Sequence, residues 1–520
     1  MTALRKLPIG IQDFESLKKD GYLYVDKTEQ IYRLISTGRY YFLSRPRRFG
    51  KSMLISTLKA LFEGKKELFE GLAITSKPDI GWERHPVLHL DLNTQQYNAP
   101  EKLAYVISDF LARNEHLYGI ESETANNNFG PRFEKLIRTA CEKTGKRVVI
   151  LVDEYDKPML QAIGNPGLQD EFRAILKGFY GALKSMDGCI RFALLTGVTK
   201  FGKVSVFSDL NNLNDISMSA QFYDICGVTE EELKSVFQPE IQGIAEMNQL
   251  TTEDCFSEMR RKYDGYHFHQ NSPGVYNPFS LLNALYKKEF GSYWFETGTP
   301  TYLVELLQKY DYNLEDMSRV GVDGDTLNSV DSESSNPIPV IYQSGYLTIK
   351  GYDPEFQTYT LGFPNEEVEA GFTKFLMPYY ICPRGRKSPF LINNFVLDVR
   401  GGNTEQFVKR LRSLFADTPY EIVQDLENHY RNVIWLLFKL MGFYTKAEYH
   451  TSEGRIDLVV KTPRFCYVME FKLDGTAEEA LEQIQEKNYT LPFEIEDQRI
   501  IRIGINFSKE TRNIEKYLVG

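Results

Sequence analysis

The stretch Ser44-Arg45-Pro46-Arg47-Arg48-Phe49-Gly50-Lys51-Ser52 carries residue types that hold phosphate groups. Glycine, lysine and a hydroxyl in succession, followed by a helix, form a pattern in which backbone amides and the helix dipole cradle phosphate oxygens. In that pattern Arg47, Arg48, Phe49, Gly50, Lys51, Ser52 and Met53 surround a nucleoside triphosphate. Lys51 reaches the β- and γ-phosphates, and the Ser52 hydroxyl ligates Mg²⁺. One departure is plain: the motif asks for glycine where this chain has Arg45. The loop must turn without that freedom, with Pro46 as a candidate rigid corner.

A second set of chemical residues closes the run Arg147-Val148-Val149-Ile150-Leu151-Val152-Asp153-Glu154. A continuous β-branched run implies a strand buried on both faces of a parallel sheet. Ligands sit at the carboxyl ends of such strands, which is where Asp153 and Glu154 fall. This is the Walker B pattern that accompanies a Walker A loop. Asp153 would hold the Mg²⁺ shell, and Glu154 would polarise the attacking water as general base. Thr196 ends a further buried strand, Arg191 to Gly197, and is a candidate γ-phosphate sensor; a plain strand-end threonine is the alternative.

A third set lies near the C-terminus. Arg455 to Val460 and Cys466 to Lys472 read as two strands joined by the hairpin loop Thr462-Pro463-Arg464-Phe465. Pairing 461 with 466 sets Asp457 opposite Glu470, with their Cβ atoms about 5 Å apart. Glu470 and Lys472 share a face because strand side chains alternate. Two adjacent carboxylates repel unless a cation joins them, so Asp457 and Glu470 ask for a divalent metal. Lys472 would orient the nucleophilic water or stabilise charge developing on a phosphate. Gln483, Lys487 and Tyr489 follow on the next helix as candidates for touching a nucleic-acid backbone. Glu427 is a candidate extra acid, with Glu448 as its competitor.

These groups need elements to position them. Tyr40 to Leu43 reads as a short buried strand, and Met53 to Phe62 has apolar residues at helical spacing. Pro86 to Asn93 is another strand candidate. Tyr24, ahead of the first strand, is a candidate for contact with a nucleotide base or a core residue. From about 222 to 310 the chain reads mostly helical, with Thr229 capping a helix whose first turn is acidic. The aromatic boxes Tyr263 to Phe268 and Tyr276 to Ser280 read as packing. Arg384, Arg386 and Lys387 read as a solvated basic cluster.

Composition limits the alternatives. A formal charge of −10 excludes a basic nucleic-acid coat, though not an enzyme that meets phosphates through a metal and a local patch. The six cysteines have no C-x-x-C spacing, which suits free thiols in a reducing cytoplasm and argues against zinc. The N-terminus lacks the apolar core of a signal peptide, and no apolar run is long enough to span a bilayer.

An acid followed by Glu-x-Lys on a neighbouring strand resembles the PD-(D/E)XK nucleases. Taken with YVDKT, FLSRPRRFGKS, ILVDEYDKP, LLTGVTKF, NNLNDI, YDGYHF, VYNPFS, GRIDLVV and EFKLDGTAEEALEQI, the chain resembles a bacterial family of AAA-ATPase-like proteins with a C-terminal nuclease-like domain. In that family arginine stands where the first P-loop glycine is expected. The resemblance implies an α/β fold in parts: a P-loop NTPase parallel-sheet domain (1–220), a helical lid or winged-helix region (221–310), a connector (311–400) and a restriction-endonuclease-like domain (401–520). It implies ATP and Mg²⁺ as cofactors, DNA as the partner, and no membrane. Relatives of this ATPase class borrow an arginine from a neighbouring subunit, which makes a homo-oligomer an expectation. A nucleotide-dependent switch or scaffold with an inactive nuclease-like domain is the alternative.

Overall fold

Strands that are apolar on both faces form the centre of the N-terminal sheet. The computed structural model describes residues 5–121, 128–200, 212–295, 301–318, 320–328, 336–380, 388–416, 426–442, 446–448, 458–494 and 498–520. β1 (Tyr40–Ser44), β2 (Val87–Asp91), β3 (Val148–Asp153), β4 (Ile190–Gly197) and β5 (Asn214–Asp215) form one parallel sheet in the order β2-β3-β4-β1-β5. Every residue of β1 and β3 is buried, whereas the edge strand β2 alternates. That is the burial expected of strands covered by helices on both sides. β4 lies between β1 and β3, so the loop after β1 and the acids after β3 are separated by one strand.

The chain divides into two compact units. The first comprises Met1–Gly298 with Arg319–Val368, the second Thr299–Ser318 with Glu369–Gly520. In the first, the helices Glu230–Val236, Gln238–Met247, Thr252–Tyr263 and Pro278–Lys287 close around Leu233, Phe237, Ile241, Ile244, Met259 and Leu281. Local chemistry starts three of them. Thr229 and Glu232 form a reciprocal capping box, Thr251 caps the third helix, and Asn277 accepts from the amides of Phe279 and Ser280. The same unit holds an antiparallel sheet of β6 (Val320–Asp323), β7 (Thr348–Asp353) and β8 (Thr358–Gly362), with β8 central.

The second unit holds β9 (Lys446–Glu448), β10 (Leu458–Lys461), β11 (Phe465–Leu473), β12 (Arg499–Ser508) and β13 (Asn513–Val519), ordered β13-β12-β11-β10-β9. Only β11 and β12 pair in parallel, which requires a crossover, and the helix Ala477–Glu486 supplies it. Gly504 on β12 lets that helix approach closely. A Cβ there would lie 2.3 Å from the Ala477 carbonyl oxygen. No described helix is long and apolar enough to cross a membrane.

Candidate functional site

The first centre is built where β1 ends. The helix Lys51–Phe62 begins at Gly50, whose φ of +96° is a left-handed turn, and the preceding Arg48 is also left-handed at +69°. Nothing lies within 4 Å of a Cβ placed on Gly50, so backbone conformation rather than crowding selects glycine there. No side chain caps this helix and its first turn holds no acid. Its amides are therefore left to another acceptor, which fits an anionic ligand.

These residues open on a cavity of about 580 Å³. Arg47 through Leu54 form one wall, Glu154 and Lys157 another. Its apolar side comes from Ile9, Val25, Ile31, Val228, Phe279 and Leu282, an arrangement that can take a flat heterocycle beside a phosphate chain. Tyr24 also lines this cavity.

Lys51 is buried, with its Nζ 3.0 Å from the Arg45 carbonyl oxygen, 3.2 Å from that of Pro46 and 3.8 Å from Glu154 Oε1. Glu154 adopts φ +55°, a left-handed conformation that a glutamate rarely takes and that ends β3 abruptly. Asp153 is buried and accepts the Thr196 hydroxyl at 2.6 Å, which joins the ends of β3 and β4. The structure thus brings Lys51 to Glu154 and Thr196 to Asp153. Ser52 and Met53 lie on the cavity wall, and Asp153 does not. A serine hydroxyl and a strand-end carboxylate are oxygen donors of the kind a hard divalent cation takes, and of the two only Ser52 lines the cavity.

Arg45 does what no P-loop glycine could. It is 1 % exposed, donates to the carbonyls of Ser44, Ser217 and Phe222 at 2.9, 2.7 and 3.1 Å, and stacks on Phe268. Burial draws its pKa down to about 10, which leaves it charged at neutral pH. Phe49 packs on Tyr266 and Phe268, Arg48 lies over Phe279, and the Trp294 indole donates to the Arg47 carbonyl at 3.2 Å. The aromatic boxes therefore pack, as expected, and part of what they pack against is the loop after β1.

Asp156 has no place among the expected site residues, yet it organises the loop after β4. Fully buried, it accepts from the Val198 amide, the Thr199 amide at 2.6 Å and the Thr199 hydroxyl at 2.7 Å. Burial first, and the charge of Glu154 second, push its pKa up to about 6. Lys157 bonds Asn93 through the carbonyl and the side-chain oxygen.

The second centre lies on β11. The register Lys461↔Cys466 through Leu458↔Met469 is the one expected from the hairpin loop. Asp457 lies outside the described residues, as do Arg384, Arg386 and Lys387, and the side chains of Glu427 and Glu448 are not described either. Glu470 is 2 % exposed, and Lys472 Nζ is 3.4 Å from its Oε1. Gln483, carried by the crossover helix, donates to Glu470 and accepts from Lys472, and its amide is 3.4 Å from the Tyr489 hydroxyl. Lys487 stands exposed after the same helix, outside this network. Glu470 and Lys472 can supply a metal-binding carboxylate and a cation for charge on phosphate. Among the described residues no group of three or more His, Cys, Asp or Glu gathers into a metal site.

Comparison with known proteins agrees with both halves. Residues 8–207 match the family model described as a predicted AAA-ATPase, and residues 425–517 match the PD-(D/E)XK nuclease superfamily. A protein of Azotobacter chroococcum mcd 1, described as an uncharacterized protein in the vnfD 5′ region, is 36% identical over 532 residues. That match covers 99% of each chain. With a parallel five-stranded sheet, a glycine-started helix after β1, a Glu-x-Lys strand beside a crossover helix, and a relative matching end to end, the chain belongs to the family of AAA-ATPase-like proteins that carry a C-terminal PD-(D/E)XK nuclease-superfamily domain.

Proposed function

We propose that this protein binds ATP with Mg²⁺ at the end of β1, hydrolyses it, and couples that cycle to a Mg²⁺-dependent nuclease acting on DNA. The observation that carries the reading is the uncapped, glycine-started helix opening on the same cavity as Glu154. Arg47 to Met53 hold the phosphates, with Lys51 as their principal cation and Ser52 and Asp153 as the Mg²⁺ ligands. When bound, the metal neutralises charge on the β- and γ-phosphates. Glu154 sits 3.8 Å from Lys51, placed to orient and deprotonate a water attacking the γ-phosphate, while Thr196 fixes the Asp153 carboxylate. In the second unit Asp457 and Glu470 are the metal ligands and Lys472 the cation that meets the scissile phosphate. Gln483 holds Glu470 and Lys472 in register, with Tyr489 beside it. Lys487 and Glu427 are accessory candidates.

A second reading has one observation in its favour. Gln483 ties up both Glu470 and Lys472, which suits a nuclease-like domain that binds without cutting. Phosphate release from ATP, measured with and without duplex DNA, together with cleavage of that DNA, separates the two. Lys51→Ala should abolish nucleotide binding, and Lys472→Ala should remove cleavage while sparing ATP hydrolysis. Retained nucleotide affinity in the first variant, or persistent cleavage in the second, overturns the corresponding half.

A further inference from the structure

Three guanidinium groups gather at the amino end of the N-terminal sheet, the end remote from the nucleotide cavity. Arg39 immediately precedes β1, Arg147 immediately precedes β3, and Arg191 is the second residue of β4. The sheet order brings them together, because β4 lies between β1 and β3, and the Ala193 amide donates to the Arg39 carbonyl at 2.7 Å.

Arg191 sits on a bulge. Val148 pairs with Ile190 and Val149 with Phe192, so Arg191 has no counterpart on β3. Bulges between parallel strands are uncommon, and a bulge re-aims the side chain it carries. The Arg191 guanidinium lies 6.0 Å from the Phe62 ring centre and makes no ion pair with any described residue. Burial, and then the charges of Arg147 and Arg39, pull its pKa down. Arg147 is exposed and likewise without an ion pair among the described residues. Arg39 meets Asp187 at 3.3 Å, a half-exposed carboxylate shared with the Tyr40 hydroxyl. Asp187 thus pairs with one of the three guanidinium groups, and Arg147 and Arg191 are left without an ion pair among the described residues.

Clustered like charges are unfavourable unless a counter-charge joins them, and the planar guanidinium fork matches phosphate oxygens. Neighbouring strands lie about 4.8 Å apart, so three strand starts span about 10 Å along the amino end of the sheet. That suits a chain of phosphates better than one enclosed ion. We propose that Arg39, Arg147 and Arg191 form a docking surface for the phosphate backbone of nucleic acid on the ATPase-like unit. The proposal rests on the reading that the protein acts on DNA.

The test uses the full chain, a short fluorescein-labelled duplex and fluorescence anisotropy in EDTA without nucleotide, so that neither metal centre contributes. Across a potassium chloride series, Arg147→Gln with Arg191→Gln should weaken binding about tenfold or more and reduce the log–log salt slope by about two. ATP hydrolysis should be unchanged, and the lysine pair at the same positions should keep most of the slope. If the double variant loses its unfolding midpoint, the exposed single change Arg147→Gln should still reduce the slope by about one. An unchanged affinity and slope overturns the proposal and leaves the DNA reading intact. A wild-type protein that binds no duplex in EDTA overturns the proposal, and one that also neither binds nor cleaves duplex with Mg²⁺ and ATP overturns the DNA reading as well. Saturable binding of inorganic phosphate, lost in the variant while duplex affinity is kept, overturns the polymer in favour of a free anion.

Discussion

The guanidinium carbon of Arg45 lies 3.8 Å from the ring centre of Phe268, which joins the start of the loop after β1 to a residue more than two hundred positions later. Three carbonyl groups accept from the same arginine. Restoring the motif glycine with Arg45→Gly would leave the Ser217 and Phe222 carbonyls buried without that donor. A loss on the order of 2–4 kcal/mol of stability is expected, with no gain in ATP affinity. Urea unfolding and nucleotide titration check it. An Arg45→Lys variant should recover little, because an ammonium lacks the planar fork.

Thr196→Val keeps the shape of the side chain and removes the hydrogen bond to Asp153. A charge-assisted bond of this kind is worth about 1.5–3 kcal/mol. The turnover number for ATP should therefore fall by roughly tenfold or more. Nucleotide affinity should change little, because Thr196 is fully buried and is not on the cavity wall. Steady-state hydrolysis compared with direct binding distinguishes this from a general structural defect, which would lower both.

Asp156 ties stability to pH. Its folded pKa of about 6 lies above the ordinary value of 3.8, so the folded state holds this proton more tightly. The stabilisation is complete below pH 3.8 and is lost as the pH rises through 6. Over that window the wild type should lose on the order of 2–3 kcal/mol relative to Asp156→Asn, which does not titrate. Unfolding free energies of both proteins at pH 4, 5, 6 and 7 measure it. A difference that stays flat would remove Asp156 as the cause.

Much of this was legible because chemistry and periodicity coincide. Gly50-Lys51-Ser52 stands between a short apolar strand and a helical repeat, and the run before Asp153 has no polar interruption. The hairpin could be counted, since a four-residue loop fixes the pairing of Lys461 with Cys466. Glu-x-Lys falls on one face by strand alternation alone. What resisted was tertiary. Nothing local marks Trp294 as a donor to Arg47, Asp156 as the acceptor for the loop after β4, or Gln483 as the bridge between Glu470 and Lys472. Nothing local marks Gly504 as the place where the crossover helix rests on β12. The bulge at Arg191 leaves no trace in composition, because it is a mismatch in counting between two strands.

The indole of Trp294 follows the Arg47 carbonyl it holds by 247 residues. During synthesis the whole loop from Ser44 to Ser52 therefore emerges long before the aromatic side chains that pack on it. A nascent chain ending at residue 207 contains every residue of the matched ATPase segment, yet lacks Phe268, Phe279 and Trp294. Until Trp294 has been added, past the midpoint of the chain, its loop lacks these aromatic supports.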